Sequence, residues 1–292
     1  MSTMELVAEG WKDYALIDSG NGLRLERVGP VVISRQSGQA YWEPALSESE
    51  WKTRLTASHW RHDQGPGKWT EQQSTPKVWN LQFKKMQLTM KLRPFGHIGI
   101  FAEQQTQWGW IADHIRTWPG ERVLNLFGYT GASSLAAAGA GAKVTHVDAV
   151  RASVGWARAN AEQSGLGDSP IRWIVEDAVR YVERELKRGS EYEGLILDPP
   201  TFGRGPRGRV WKIEKDLVPF IQKCLQLLSS NGRFVLLTAH TPGVTAAVLR
   251  NMLFPLLEER GGKLTSGDMV QQAEQSPMLL PAGVYCRWSA FA

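Results

Sequence analysis

The pattern of apolar positions changes character partway along the chain. From about residue 106 onward, short unbroken apolar runs alternate with longer stretches in which apolar residues recur at helical spacing. The runs "RVLNLF" (122–127), "KVTHVD" (143–148), "IRWIVED" (171–177), "EGLILD" (193–198) and "GRFVLLT" (232–238) read as strands, and residues 131–140, 150–164, 178–188 and 214–229 read as helices. Strands alternating with helices of that length predict an α/β fold, a parallel sheet with helices on both faces. A helix over 243–257 and two late strands over 263–270 and 284–291 complete a Rossmann-like, mostly parallel sheet of seven strands with an antiparallel edge.

Upstream the rhythm is that of short β elements. "YALIDSGNGLRLERVGPVVI" (14–33) is broken by Gly-Asn-Gly and Gly-Pro and predicts a small meander, and "WNLQFKKMQLTMKL" (79–92) alternates as a hairpin does. "WRHDQGPGKW" (60–69) is polar and rich in Gly and Pro, which predicts a surface loop. Tryptophans fall at 42, 51, 60, 69 and 79, but the residues between them do not match, so the spacing is not a repeat. The expected organisation is a small β-rich N-terminal region over 1–77, a candidate for substrate binding, followed by an α/β domain over 78–292.

Strand ends carry the candidate chemistry. "LILDPPTFGRG" (195–205) stops on an acid and two prolines, and prolines cannot continue a central ladder, so Asp198 lies at the carboxyl edge where α/β sheets bind ligands. The first strand runs into "NLFGYTGASS", with Gly128 and Gly131 in the strand-to-helix turn, where missing side chains let a ligand approach the backbone. The second ends in Asp148, 20 residues beyond Gly128, the place from which a carboxylate reaches a ribose hydroxyl pair. The third ends in Glu176-Asp177-Ala178. A dinucleotide site wants G-x-G-x-x-G, whereas only Gly128-x-x-Gly131 is present. Acids at 148, 177 and 198 repel a pyrophosphate and tolerate a sulfonium cation, which favours S-adenosylmethionine over NAD.

With these residues the sequence resembles the class I S-adenosylmethionine-dependent methyltransferases, within them the large-subunit ribosomal RNA group of cytosine-C5 and guanine-N7 enzymes. The resemblance rests on "NLFGYTGASSLAAAGAGAKVTHVDAVRASVGWARAN" (125–160), "EDA" (176–178), "DPPTF" (198–202) and the upstream "HIGIFAEQQTQW" (97–108), and covers about 78–292. It implies a cofactor site in which Phe127, Gly128, Tyr129, Thr130 and Gly131 lie along the methionine part. Asp148 and Ala149 would then meet the ribose, and Asp177 with Ala178 the adenine. It further implies that Phe101, Glu103 and Gln104 close over the cofactor and that Asp198, Pro199 and Pro200 form the floor beside the methyl group. Two features depart from the group. Residues 1–77 do not read as its PUA module, and "LLTAHTPG" after the fifth strand offers no cysteine, which methylation at cytosine C5 needs as a nucleophile.

Cys224 lies mid-helix and Cys286 in a late strand, both read as packing residues. Transfer to nitrogen is therefore expected, with Asp198 and the Pro199 carbonyl as acceptors for an amine and Phe202 stacking on the substrate; exocyclic amine and ring nitrogen both stay open, "DPPTF" leaning toward the guanine-N7 relatives. Asn160 is expected to end its helix, and His240 reads equally as structural or substrate-facing. The residues 204–215, "RGPRGRVWKIEK", carry five basic residues and one acid, so Arg204, Arg207, Arg209 and Lys212 are candidates for phosphate contacts and Trp211 for base stacking.

Composition narrows the classes. With 42% hydrophobic and 22% charged residues the chain reads as globular. The net charge of +5 is concentrated: residues 51–93 hold nine Lys/Arg against two acids. Two cysteines make neither a disulfide framework nor a metal cluster, so no metal is expected. The absence of a leader-like start or an apolar run of spanning length gives the expectation of a cytoplasmic protein with RNA, ribosomal RNA first, as partner. A methyltransferase of the same fold acting on protein or a small molecule, and a non-catalytic RNA-binding protein, are the alternatives.

Overall fold

The computed structural model describes residues 4–63, 67–204 and 210–290. In chain order the elements are β1 (Leu6–Ala8), β2 (Tyr14–Gly20), β3 (Leu23–Val28), β4 (Val31–Gln36), α1 (Glu48–Arg54), β5 (Ala57–Trp60), β6 (Lys68–Glu71), β7 (Trp79–Phe83) and β8 (Met86–Met90). A 3-10 turn (Ala102–Gln104) leads into α2 (Gln105–Thr117), β9 (Arg122–Leu126), α3 (Ala132–Gly139), β10 (Lys143–Asp148), α4 (Arg151–Gln163), β11 (Ile171–Val175) and α5 (Ala178–Lys187). There follow β12 (Gly194–Leu197), β13 (Phe202–Arg204), β14 (Val210–Lys212), α6 (Ile213–Leu225), β15 (Phe234–Ala239), α7 (Ala246–Leu257), β16 (Lys263–Gln272) and β17 (Leu279–Ser289).

The chain divides into two compact units, Met1–Leu6 with Thr106–Met269 and Gly283–Ala292, and Val7–Gln105 with Val270–Ala282. The second unit extends past the boundary expected at residue 77 and takes in the β7–β8 hairpin.

The large sheet has the order β1-β16-β17-β15-β12-β9-β10-β11. The pairs β9–β10, β10–β11, β9–β12 and β12–β15 are parallel, and β17 lies antiparallel to β15. The α/β expectation holds, with β1 added as an eighth strand. Apolar residues alternate cleanly between its faces. Leu124, Leu195, Leu197, Val235 and Leu237 pack with α5, α6 and α7, while Val123, Ile196, Phe234 and Leu236 pack with Ile111 and Ile115 of α2 and Ala137 and Ala138 of α3. Strands buried on both faces need no polar alternation, which is why their sequences read as unbroken apolar runs. The strand order reverses at β9, so the loops after β9 and β12 diverge and open a ligand position at their carboxyl ends.

The second unit holds a five-stranded sheet, β2-β3-β4-β5-β6, and the β7–β8 hairpin. The meander over 14–33 and the 79–92 hairpin are present. Residues 60–69, expected as a loop, overlap two short strands at their ends, because α1 carries the chain over to lay β5 parallel to β4 and β6 then pairs back on β5. The tryptophans share no common role. Trp79 is buried with its indole N–H on the Val28 carbonyl, Trp51 donates to Asp18, and Trp60 is exposed.

Strand β3 of this sheet carries a buried carboxylate. Glu26 accepts from the Tyr14 hydroxyl at 2.8 Å and from two nitrogens of Arg35 at 2.6 and 2.7 Å, and Arg35 also donates to the Gly96 carbonyl. Burial pushes the Glu26 carboxyl up, but Arg24, Arg35 and these hydrogen bonds outweigh it and bring it down to about 2. A folded-state value below the ordinary 4.5 means that the stability Glu26 confers is complete above that value and is lost as pH falls from it toward about 2. Glu26→Gln leaves Arg35 buried without its counter-charge and is expected to cost roughly 3–5 kcal/mol in urea unfolding at pH 7. The difference from the parent chain should shrink as the pH is lowered through this window.

Candidate functional site

The turn after β9 is strained, and its neighbours hold it. Phe127 (φ 60°) and Tyr129 (φ 49°) adopt the left-handed region without being glycine, and Gly131 follows at φ 92°. Each non-glycine residue there costs on the order of 1–3 kcal/mol unless its surroundings over-determine it. Phe127 is wedged between Trp211 (ring centroids 5.5 Å) and Phe220 (5.6 Å). The Tyr129 N–H donates to Asp148 Oδ2 at 3.0 Å. Asn160, wholly buried on α4, donates its amide to the Thr130 carbonyl at 2.9 Å. Asn160 therefore does not merely end a helix: α4 runs on to Gln163 and the side chain pins the turn. A polar residue on the stripe formed by buried Val154, Ala157 and Ala161 was the available signal.

Both glycines of the turn are required from below. A Cβ on Gly128 would collide with the imidazole of His146, 2.5 Å from Nδ1, and one on Gly131 would stand 2.8 Å from the Cβ of Ala157. His146 is fully buried in β10, and burial pulls its imidazole down to about 3, so the ring is neutral. Its Nδ1 lies 2.9 Å from the Ser134 hydroxyl, which accepts from Asn125 at 2.8 Å. A polar column thus joins β9, α3 and β10 directly under the turn.

Asp148 ends β10 half-buried beside Ala149, and burial raises its carboxyl. One oxygen accepts from Tyr129 N–H and the other from Val150 N–H at 2.8 Å. A carboxylate has about four acceptor positions, so this grip fixes its orientation while leaving each oxygen able to accept once more, as a vicinal diol requires. Asp177 is the N-cap of α5, accepting from Arg180 N–H at 3.0 Å, with Ala178 buried behind it.

Asp198 follows β12. Its Oδ1 accepts from the Thr238 hydroxyl at 2.7 Å and lies 3.5 Å from His240 Nε2. Burial pushes this carboxyl up, but His240 and the Thr238 hydrogen bond prevail and leave it below the usual carboxylate range. Pro199 is buried, Pro200 is exposed, and Phe202 opens β13 with 51% of its surface exposed. Lys212, opposite Phe202 in the β13–β14 ladder, is exposed.

Trp211 is not a stacking platform. Its surface is only 6% exposed; the ring packs on Phe127 and Phe220, and Nε1–H donates to the Pro200 carbonyl at 2.7 Å. On the three-residue strand β14 it alternates inward between exposed Val210 and Lys212, a period too short to read in so charged a segment. Arg204 closes β13, and Arg207 and Arg209 lie outside the described residues. Phe101, Glu103 and Gln104 belong to the second unit, where Glu103 and Gln104 are buried in the 3-10 turn and the Phe101 ring meets His97 edge-on at 5.5 Å. Cys224 and Cys286 are buried and burial raises both thiols, that of Cys286 to about 12.

A model of S-adenosylmethionine-dependent methyltransferases matches residues 31–279. The chain belongs to the S-adenosylmethionine-dependent methyltransferase family. An S-adenosylmethionine-dependent methyltransferase from Agrobacterium tumefaciens is 35% identical, superposes with a TM-score of 0.92 and covers 98% of this chain and 93% of its own. A Streptococcus mutans structure (19% identical, TM-score 0.73, 96% and 76% coverage) shares the fold. Ribosomal RNA large subunit methyltransferase K/L of Marinobacter nauticus is 28% identical over 175 residues, 59% of this chain and 23% of that protein. The Shewanella frigidimarina protein of that name is 31% identical over 149 residues, 50% and 20%. The chain thus spans a quarter or less of the length of these curated relatives.

The methyltransferase uses S-adenosylmethionine, and the carboxyl edge fits it: acceptor-only carboxylates suit hydroxyls and a sulfonium cation, and the glycine turn keeps side chains out of the way. Among the described residues no helix is long and apolar enough to cross a membrane, and no cluster of His, Cys, Asp and Glu is arranged to hold a metal.

Gly128→Ala should overpack against His146 and cost roughly 1–3 kcal/mol in thermal unfolding. Asn160→Ala should weaken S-adenosylhomocysteine binding by roughly tenfold in calorimetry, the equivalent of about 1.4 kcal/mol for one buried hydrogen bond holding the turn.

Proposed function

We propose that this methyltransferase transfers the methyl group to a base nitrogen of RNA, ribosomal RNA being the first substrate to test. The observation that carries the nitrogen is the carboxyl end of β12, where Asp198 stands beside an exposed Phe202, while both cysteines are buried with raised thiol values. A thiolate nucleophile must be ionised and beside its target, so the cysteines serve packing and carbon methylation loses its nucleophile. Support for RNA comes from the partial relatives, which are ribosomal RNA methyltransferases, and from the basic run around β13 and β14.

Bound S-adenosylmethionine supplies a methyl sulfonium, an electrophile that needs no activation. The work of the chain is alignment and exclusion of water. Asp148 orients the ribose, Asp177 and Ala178 border the adenine, and the 127–131 turn runs along the methionine part, with Phe101, Glu103 and Gln104 assigned to cover it. Asp198 and the Pro199 carbonyl accept hydrogen bonds from the nucleophile and turn its lone pair toward the methyl group. The Pro200 carbonyl already accepts from Trp211, which fixes the direction of the loop beside them. Phe202 stacks on the base, and Arg204, Arg207, Arg209 and Lys212 contact flanking phosphates. The second unit, with its basic 51–93 segment, is assigned to substrate binding.

Incubation with methyl-labelled S-adenosylmethionine and bulk RNA, with bulk protein in parallel, should place label in RNA; label in protein alone would select the same fold acting on protein. Asp198→Ala should lower transfer by roughly 10²-fold or more while moving the cofactor dissociation constant less than about threefold. Neutralising Arg204, Arg207, Arg209 and Lys212 together should flatten the salt dependence of RNA affinity by about one unit of slope per lost phosphate contact, and an unchanged slope removes this segment from the interface.

A further inference from the structure

The charges on the five-stranded sheet do not close on themselves. Arg24 stands directly opposite Arg35 in the β3–β4 ladder, so two guanidiniums share one face of the sheet with Glu26, two positions along from Arg24. Glu26 is already held by two nitrogens of Arg35 and by the Tyr14 hydroxyl. Arg24 is left over. Its one charge contact runs from Nε to Glu26 Oε2 at 3.4 Å, and that Nε is buried without a hydrogen-bond partner. The same face holds a second such donor: Ser19, opposite Arg24 in the β2–β3 ladder, is 2% exposed and its hydroxyl has no partner among the described residues. A mostly buried guanidinium that faces a like charge and makes no hydrogen bond destabilises the fold, so folding alone gives no reason for it.

Arg61 brings a third guanidinium to this end of the sheet. It follows β5, and Gln36 at the end of β4 fixes its backbone, accepting from the Arg61 N–H at 3.1 Å and donating to its carbonyl at 3.0 Å. The exposed Arg61 side chain makes no hydrogen bond or ion pair among the described residues. His97 marks where the three converge. The turn before it is set by Arg35, which donates to the Gly96 carbonyl at 2.8 Å, and a Cβ at Gly96 would stand 2.9 Å from His59 Nδ1. Desolvation and the charges of Arg35 on β4, Arg61 and His59 from β5 and its end, and Arg24 on β3 hold the His97 imidazole down at about 4, with the Phe101 ring edge-on beside it. The carboxylates in this group are Glu26 and Glu103, both of which act on Arg35. Three guanidiniums against two carboxylates leave one positive charge in excess, all within the second unit.

We infer that Arg24 and Arg61 clamp a phosphodiester of the substrate RNA at this end of the sheet, its single negative charge meeting the one in excess. The choice of RNA rests on the reading proposed above; the phosphate chemistry does not. Guanidinium forks match the paired non-bridging oxygens of a diester. Arg35 is bonded through all three of its nitrogens to Glu26 and Gly96, so it contributes field and not contact. A backbone phosphate sets the register of an RNA without reading its sequence, which leaves base selection to the groups around Asp198.

The test uses the full chain and two probes, a short oligouridylate and inorganic phosphate. Oligouridylate affinity, read by fluorescence anisotropy across a range of salt concentrations, should show a log–log slope shallower by roughly 0.7 in Arg24→Met and in Arg61→Ala than in the parent chain, the loss of one contact to a single strand. In urea unfolding Arg24→Met should keep or raise the parent midpoint, because it removes a guanidinium that no hydrogen bond compensates, whereas a purely structural Arg24 would lower it. The exposed Arg61 side chain can be removed without touching the core, so the second variant reads the site whatever Arg24 does to folding. Unchanged slopes in both variants overturn the site and leave the RNA reading to the labelling experiment; label in protein alone, with the slopes changed, overturns the RNA reading instead.

His97 reports on the site directly. Its ring proton, followed by NMR, should titrate at higher pH with oligouridylate bound, since a diester stays ionised through that range and its charge favours the imidazolium, and the rise should be absent in Arg61→Ala. A rise with inorganic phosphate and none with oligouridylate supports a phosphate site but overturns its assignment to RNA, and no rise with either overturns the site.

Discussion

One indole holds the candidate site together. Trp211 donates to the Pro200 carbonyl through its N–H and presses its ring on Phe127, so a single side chain ties the loop after β12 to the turn after β9. These two strands are where the sheet order reverses, and their loops would otherwise diverge with nothing to set their spacing. The indole is buried among Phe127 and Phe220, which offsets the strain of a left-handed Phe127 and fixes where the following residues point. It fixes the direction of the second proline carbonyl, filling one of its two acceptor positions. An apolar anchor thereby sets the course of the loop that carries Asp198 and Pro199.

Beneath the turn the logic is the same. The glycines at 128 and 131 read naturally as room for a ligand, yet the atoms that forbid a side chain there are His146 and Ala157, on the protein's side of the loop. The turn lies pressed onto a neutral histidine, capped by a buried asparagine amide and clamped at Tyr129 by Asp148. Two hydrogen bonds and the packing of Gly128 on His146 hold a backbone that its own torsions disfavour. The same carboxylate that clamps the turn is the one proposed to hold a ribose, so mutation at Asp148 disturbs the loop geometry together with any ligand contact.

Much of this was legible along the chain because burial on both faces writes itself as unbroken apolar runs, and acids or prolines mark where those runs stop. The parallel sheet, its antiparallel edge strand and the ends at Asp148, Asp177 and Asp198 follow from that pattern. What escaped it depends on contacts between residues far apart in sequence. Trp211 lies in a segment of five basic residues whose charge suggests exposure, and only pairing of β14 with β13 turns it inward. Strands β5 and β6 are four residues each and polar, and exist because α1 returns the chain alongside β4. The second unit's extent to Gln105, joined by Val270–Ala282, needs a chain that returns after more than 150 residues. Asn160 is the instructive middle case, a polar residue on an apolar helix stripe, where the pattern held the signal and the common reading as a helix end obscured it.

The two halves of the sheet edge answer different demands. Strands β9, β10 and β11 present a strained turn and carboxylates already committed to backbone partners, which suits a ligand that is always the same. Strands β12 and β15 lead to Asp198 and His240, both partly exposed, and to buried Thr238, which donates to Asp198. The cofactor side of such a site constrains the fold, because its contacts run through backbone and core. The acceptor side can change with a few residues at the ends of two strands, because Asp198, Thr238 and His240 meet there through side chains.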